Sequence, residues 1–309
     1  MNILKILEKQ RDEEQIKELK TKEHLTDEEA RLKYYAKELE ELLSYNAKFY
    51  NLKHISYLNH DEYRLYEIPI QTGIKRNGGH TQYETIDGKQ YNKVTKEERT
   101  PESIFHSEQA SLYRTKQKIY EYAFANDWTN GLFFTITFNP ELVDSMNYDD
   151  CYERMYQFLK NVKRQNPEFK YIFVPELHKS GRIHFHGIGT NCDKLELIDS
   201  GKSQKGKKIY NINSRTFKYG FTTVSKIENT QKVSNYITKY ITKELISATK
   251  GKHRYLYSKN LEMAEVETVM LNDKELFMKS VELNPNVVFK KVYVDEETKQ
   301  EIIYIQVKK

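Results

Sequence analysis

Glu176, His184 and His186 are the side chains whose types and spacing come nearest to a metal-binding set, all within residues 172–189, IFVPELHKSGRIHFHGIG. Alternation over 172–177 puts Glu176 on the face opposite Phe173 and Pro175. Over 182–188 it puts His184 and His186 together, away from Ile183 and Phe185. Lys179-Ser180-Gly181 reads as a three-residue hairpin loop in which Gly181 supplies the left-handed backbone such a loop requires. Pairing symmetric about Ser180 then sets His178 against Arg182 and Glu176 directly against His184, and one residue more or less in the loop would turn the carboxylate away. Two imidazoles and a carboxylate on neighbouring strands leave positions open on a divalent ion, the arrangement of a catalytic rather than a closed structural site. A His-x-His taken alone is more often two surface histidines, so other elements must decide.

A second constellation lies downstream in YITKYITK, residues 236–243. The spacing predicts a helix over 231–247 with Val233, Ile237, Ile241 and Ala248 inward and Tyr236, Tyr240, Lys239 and Lys243 on the neighbouring face. A phenol is a poor nucleophile at neutral pH because its ordinary pKa is about 10. Nearby ammonium groups and a metal-polarised phosphate favour the phenolate and stabilise charge developing at phosphorus. The competing reading is a tyrosine-rich packing helix with solvated lysines.

The elements that must position these residues follow in order. Residues 1–50 read as two charged helices, the second opening on a capping box of Thr26 and Glu29. Residues 51–101 carry short apolar clusters, a Gly78-Gly79 break and an Asp87-Gly88 turn that marks a small hairpin. A helix is expected over 107–125, then the strand 132–138, LFFTITF, with Phe134, Ile136 and Phe138 on one face and Phe133, Thr135 and Thr137 on the other. An amphipathic helix over 149–165 precedes the hairpin, and a further strand over 219–227 follows it. The loop 201–208, GKSQKGKK, falls short of a nucleotide-hydrolase phosphate loop. Position 208 is Lys where a magnesium-binding Ser or Thr is required, and a flexible basic loop is the expectation. The order of elements describes an α+β fold, an antiparallel central sheet with flanking helices on one face, ending in a β-hairpin over 287–294 and 302–307.

Composition narrows the class. The 309 residues are enough for one large or two modest domains. They contain no apolar run of membrane-spanning length and no apolar signal core near Met1, so a soluble, cytoplasmic protein without membrane partners is expected. Cys151 and Cys192 are too few for a disulfide framework, which suits a reducing compartment. Net charge is +5, but residues 201–260 hold 14 Lys and Arg against two acids, a local +12 that leaves −7 for the rest. Those cations, Lys207, Lys208, Arg215, Lys218 and Arg254 among them, are interleaved with Tyr and Phe, as a single-stranded nucleic acid site requires.

Taken together, FFTITF, PELHKSGRIHFHG and YITKYITK resemble, in order and spacing, the three motifs of rolling-circle replication initiators of the HUH endonuclease superfamily. The likeness is greatest to the two-tyrosine type of small single-stranded DNA phages and related plasmids. It covers roughly residues 107–261, including GKHRYLYSKNL. The resemblance implies a metal-dependent nickase and ligase of single-stranded DNA at a replication origin. Glu176, His184 and His186 would hold Mg²⁺ or Mn²⁺, and Tyr240 or Tyr236 would attack phosphorus to leave a covalent 5′-phosphotyrosine and a free 3′-hydroxyl. Lys239 and Lys243 would steady phosphate or leaving group, Tyr240 being favoured for the first transfer. No helicase pattern is visible, so unwinding would fall to a host helicase. The expected organisation is a helical and irregular extension over 1–104, the nuclease domain over 105–262 and a hairpin segment over 263–309. Two rivals stand: a relaxase or transposase with the same chemistry, and a non-catalytic nucleic-acid-binding protein of the same topology.

Overall fold

The chain alternates short strands with amphipathic helices, and the computed structural model describes residues 3–72, 83–204, 206–240, 245, 249, 252–295 and 299–309, by backbone alone at 3–12, 36 and 38–47. In order the elements are α1 (Ile3–Glu23), α2 (Asp27–Lys48), β1 (Phe49–Ser56), β2 (His60–Gln71), β3 (Tyr83–Ile86), β4 (Lys89–Asn92) and α3 (Pro101–Ala125). There follow β5 (Leu132–Phe138), α4 (Tyr148–Gln165), β6 (Lys170–Leu177), β7 (Ile183–Thr190), β8 (Leu197–Gln204), β9 (Lys207–Ile212) and β10 (Gly220–Lys226). The last are α5 (Thr230–Ile237) with a 3-10 turn Thr238–Tyr240, then β11 (Leu256–Tyr257), β12 (Glu265–Val269), α6 (Lys274–Leu283), β13 (Val287–Val294) and β14 (Glu301–Lys308). No helix among the described residues is long and apolar enough to cross a membrane.

The fold is α+β, and the chain divides into two compact units. One comprises Met1–His54, Glu62–Gly78 and Val266–Lys308. Its α1 and α2 pack through Ile16, Ala30 and Tyr34, and Thr26 and Glu29 form the expected capping box, with Thr26 N–H donating to the Glu29 carboxylate at 2.8 Å. Its sheet runs β12-β1-β2-β14-β13. Strands thus occupy 49–71, where a helical and irregular extension was expected, and they share a sheet with the C-terminal hairpin. Their half-polar sequences, FYNLKHIS and HDEYRLYEIPIQ, hide the alternation that would have marked them.

The second unit comprises Ile55–Asp61, Gly79–Glu265 and Lys309, and its sheet runs β11-β6-β7-β5-β10-β9-β8, with antiparallel pairing throughout the strands that hold the site. Helix α4 is capped by Asn147, whose side chain accepts from Asp149 N–H, and carries Lys163 and Arg164 at its negative end. It buries Cys151, Met155, Phe158, Leu159 and Val162 against Phe134, Ile136, Phe138, Phe173 and Phe185. Helices flank both faces of the sheet, not one. Residues Ile119, Tyr122 and Ala123 of α3 and Ile237 of α5 cover Ile172, Val174 and Ile188 on the other face. The consecutive buried run Ile172-Phe173-Val174 already required cover on both sides, because neighbouring strand residues point opposite ways.

Two further expectations change. Residues 201–208 are not a flexible loop: they belong to the β8–β9 hairpin, with Gln204 opposite Lys207, Gly206 at φ +79° and Gly201 at φ +69° beside a bulge. Glycine, serine and lysine give no apolar alternation, and an exposed edge hairpin needs none. The helix expected over 231–247 ends at Ile237 and tightens into the 3-10 turn, where the Thr238 hydroxyl donates to the Asn235 carbonyl at 2.9 Å. Ile241, Thr242, Lys243 and Ala248 of that expectation, and the Gly78-Gly79 break, lie outside the described residues.

Candidate active site

The hairpin folds as its sequence requires. Gly181 sits at φ +80°, His178 N–H donates to the Arg182 carbonyl at 2.9 Å, and Glu176 stands opposite His184. Pairing continues into β5 and β10, so side chains that share a face line up in rows across four strands. Glu176, His184, Thr137 and Phe221 form one row; Val174, His186, Thr135 and Thr223 the next; Ile172, Ile188, Phe133 and Ser225 the third. Apolar residues of the third row meet α3 and α5, while the first two rows carry the polar groups. Gly187, on the reverse face, admits the ring of Phe173, which an added Cβ would meet at 2.3 Å.

Helix α5 is held in register over this face. Asn229 caps it, accepting from Lys232 N–H, and the Ser234 hydroxyl donates to the Ala123 carbonyl at 2.7 Å. Trp128 Nε1 donates to the same carbonyl at 2.8 Å, satisfying a group that the end of α3 leaves open. The 3-10 turn then delivers Tyr240 flat onto His186, with ring centroids 3.7 Å apart and planes 7° apart. Tyr236, about half exposed, meets Tyr240 edge-on at 5.3 Å and Phe133 at 5.5 Å. The Lys239 ammonium lies 5.9 Å from the Tyr236 ring centre.

Hydrogen bonds fix the imidazoles. His186 Nε2 lies 2.7 Å from a Glu176 carboxylate oxygen. Burial pushes His186 below its ordinary pKa more strongly than Glu176 raises it, so this is a neutral ring donating from Nε2, not an ion pair. That tautomer leaves Nδ1 to accept from the Thr135 hydroxyl, 3.2 Å away. Thr137 Oγ1 stands 3.3 Å from Nδ1 of His184, whose pKa is likewise lowered by burial and then by His178, against the pull of Glu176. Tyr240 titrates well above an ordinary phenol, because of burial first, then its hydrogen bond and proximity to Tyr236 and the charge of Glu176.

No three His, Cys, Asp or Glu side chains among the described residues stand together as a ready-made metal cage. The donor set nevertheless fits a divalent ion in kind. Both rings have Nδ1 engaged by a threonine and point Nε2 toward the carboxylate side, the outer-shell arrangement that histidine ligands use. Sequence reasoning grouped Thr135 and Thr137 on one face of their strand without assigning them this role, and the pairing register supplies it.

The basic residues are scattered. Lys207 pairs with Glu228 at 2.9 Å and Lys208 with Asp199 at 3.6 Å. Arg215 is exposed on the turn after β9, and Lys218 lies over the Tyr219 ring at 5.5 Å. Arg254 is drawn inward, donating to Ser111 and, at 3.4 Å, to Thr115. Of the five, Lys207 borders the groove that Tyr236 also lines, whereas Arg254 braces α3.

Residues 131–245 match the family model described as Replication-associated protein ORF2. This part of the chain is similar to replication-associated proteins. The matched span begins at the threshold of β5 and runs past Tyr240, so it takes in both threonines, all three candidate donors and both tyrosines. No curated protein and no solved structure matches the chain significantly.

Proposed function

We propose that the protein initiates rolling-circle DNA replication as a two-tyrosine nickase and ligase of the HUH type. One observation carries this reading: Tyr240 lies stacked at 3.7 Å on His186, the ring whose Nε2 bonds Glu176. A candidate nucleophile and a candidate ion-binding set thus share one spot, in a region similar to replication-associated proteins.

A divalent ion, Mg²⁺ or Mn²⁺, held by Glu176, His184 and His186 would polarise the scissile phosphate. Thr135 and Thr137 keep both imidazoles turned with Nε2 inward, and their neutral state leaves lone pairs for ligation. The Tyr240 oxygen attacks phosphorus and forms the phosphotyrosine bond as the bond to the 3′-oxygen breaks; the phenolic proton is lost and the 3′-oxygen gains one. Because the phenol resists ionisation where it is buried, the reaction needs positive charge beside it, for which Lys239 and Lys243 are the candidates. The ester conserves the energy of the original linkage, so attack by a later 3′-hydroxyl rejoins the strand without a nucleotide cofactor. Tyr236, edge-on to Tyr240, is placed to take a second strand.

The test is incubation with single-stranded oligonucleotides and Mn²⁺, followed by denaturing electrophoresis. A protein–DNA adduct that survives denaturation is expected. Its loss is expected in Tyr236→Phe with Tyr240→Phe and in His184→Ala with His186→Ala; an adduct persisting in the double Phe variant would remove the tyrosines from the mechanism.

A further inference from the structure

Phe221 has no explanation in the fold. It is 71% exposed on β10, in the row that runs through Thr137 and His184 to Glu176. Every other member of that row is polar. No ring packs on Phe221 among the described residues, and a bare phenyl costs apolar exposure that a strand ordinarily avoids.

Four residues along the same face, roughly 13 Å away at strand rise, β10 enters a groove of about 450 Å³ lined by Phe133, Ser225, Lys207, Lys232 and Tyr236. That volume lies within the roughly 300–1,000 Å³ of small-ligand pockets. Lys207 is tied to Glu228 there, but the exposed Lys232 ammonium has no carboxylate partner among the described residues. Thr223, between the two ends, is exposed and polar. Separate aromatic faces, a free cation and a polar floor do not make the continuous apolar patch that a protein partner would need. They do match an unpaired strand, whose bases have open faces to stack and whose phosphates seek cations.

We propose that a single strand of DNA runs along this face of β10, stacking one base on Phe221 and lodging a neighbouring nucleotide in the groove, its base against Phe133 and its phosphate toward Lys232. The proposal rests on the nicking function for its direction: the track passes the His184 and His186 rows, so it presents a backbone phosphate to Tyr240. Phe221 and Lys232 are binding residues that position the strand and take no part in bond making.

The measurement is fluorescence anisotropy of a labelled oligo-dT on the full chain, in EDTA so that no strand is cut. Phe221→Leu keeps an apolar side chain but loses the π face, and is expected to weaken binding about fivefold or more, with Phe221→Trp restoring it. Lys232→Ala is expected to lower the slope of log affinity against log salt by about 0.7, one phosphate contact on a single strand. Tyr156→Ala with Lys160→Ala removes the same chemistry from α4, on the opposite face of the sheet, and is expected to leave binding unchanged. If Phe221→Leu and Lys232→Ala bind as the α4 pair does, the track is wrong. Competition by free dTMP as effective per nucleotide as by the oligomer would also overturn it, in favour of a free-nucleotide pocket. An adduct assay on the same proteins separates the two ideas. Wild-type binding that depends on Phe221 but never yields an adduct would sink the nicking function and leave the track standing.

Discussion

Gly187→Ala should damage both stability and chemistry, because Gly187 lies between His186 and Ile188 and faces the ring of Phe173. A Cβ at this position would stand 2.3, 2.4 and 2.6 Å from three ring carbons, where ordinary van der Waals contact begins at 3.4 Å. Phe173 cannot yield easily. It is fully buried and packs on Phe134 at 5.3 Å, and spinning the ring about its own axis leaves an atom under the new methyl group. Overpacking of this kind costs about 1–3 kcal/mol. Replacing glycine by alanine returns roughly 0.4–1 kcal/mol by narrowing the unfolded ensemble. The net expectation is a loss of about 1–2 kcal/mol, hence a melting temperature lower by roughly 2–8 °C for a unit of this size. If β7 moves to relieve the clash, His186 moves with it, and a displacement near 1 Å at a reacting centre can cost about a hundredfold in rate. Thermal and urea unfolding give the first quantity; the rate of adduct formation gives the second. Phe173→Leu introduced beside Gly187→Ala should recover part of the loss, a coupling that neither single variant shows. A Gly187→Ala protein as stable as wild type would refute the packing described for this face.

Three further outcomes are expected. Thr135→Val with Thr137→Val removes the hydroxyls at 3.2 and 3.3 Å from the two imidazoles, and should raise the Mn²⁺ concentration needed for adduct formation about 10- to 100-fold; an unchanged metal requirement would show that the threonines do not orient ligands. Burial pushes the thiols of Cys151 and Cys192 up to about 12, so at neutral pH both stay protonated and should alkylate far more slowly in the native protein than in urea. Rapid labelling of native protein would contradict their burial. Ser234→Ala leaves the Ala123 carbonyl with one side-chain donor in place of two, and is expected to destabilise by about 0.5–1.5 kcal/mol, seen as a lower urea midpoint.

The hairpin was legible because loop length, Gly181 and period-two alternation all fix one register, and that register alone brings Glu176 opposite His184. The amphipathic pattern of α4 and the alternation of LFFTITF were equally plain. Periodicity does not say which sheet face a helix will choose, and so α3 and α5 could not be assigned to the tyrosine side before IFV was recognised as buried on both faces. The end of α5 was hidden for a different reason: YITKYITK repeats every four residues, as a continuous helix would, while one threonine hydroxyl competes with the backbone beyond Ile237. Charge counting found the basic region but not its geometry. Lys207 and Lys208 are held by Glu228 and Asp199, and Arg254 by α3, whereas Phe221 and Lys232 gave no signal beyond their residue type.

The most direct measurement is to digest the covalent adduct with protease and nuclease and locate the nucleotide-bearing peptide by mass spectrometry. A nucleotide on Tyr240, with Tyr236 modified when Tyr240→Phe is used, is the expected result. A nucleotide on a residue outside 236–240, or none at all on protein that binds the strand and Mn²⁺, would contradict the claim that the phenol stacked on His186 is the nucleophile.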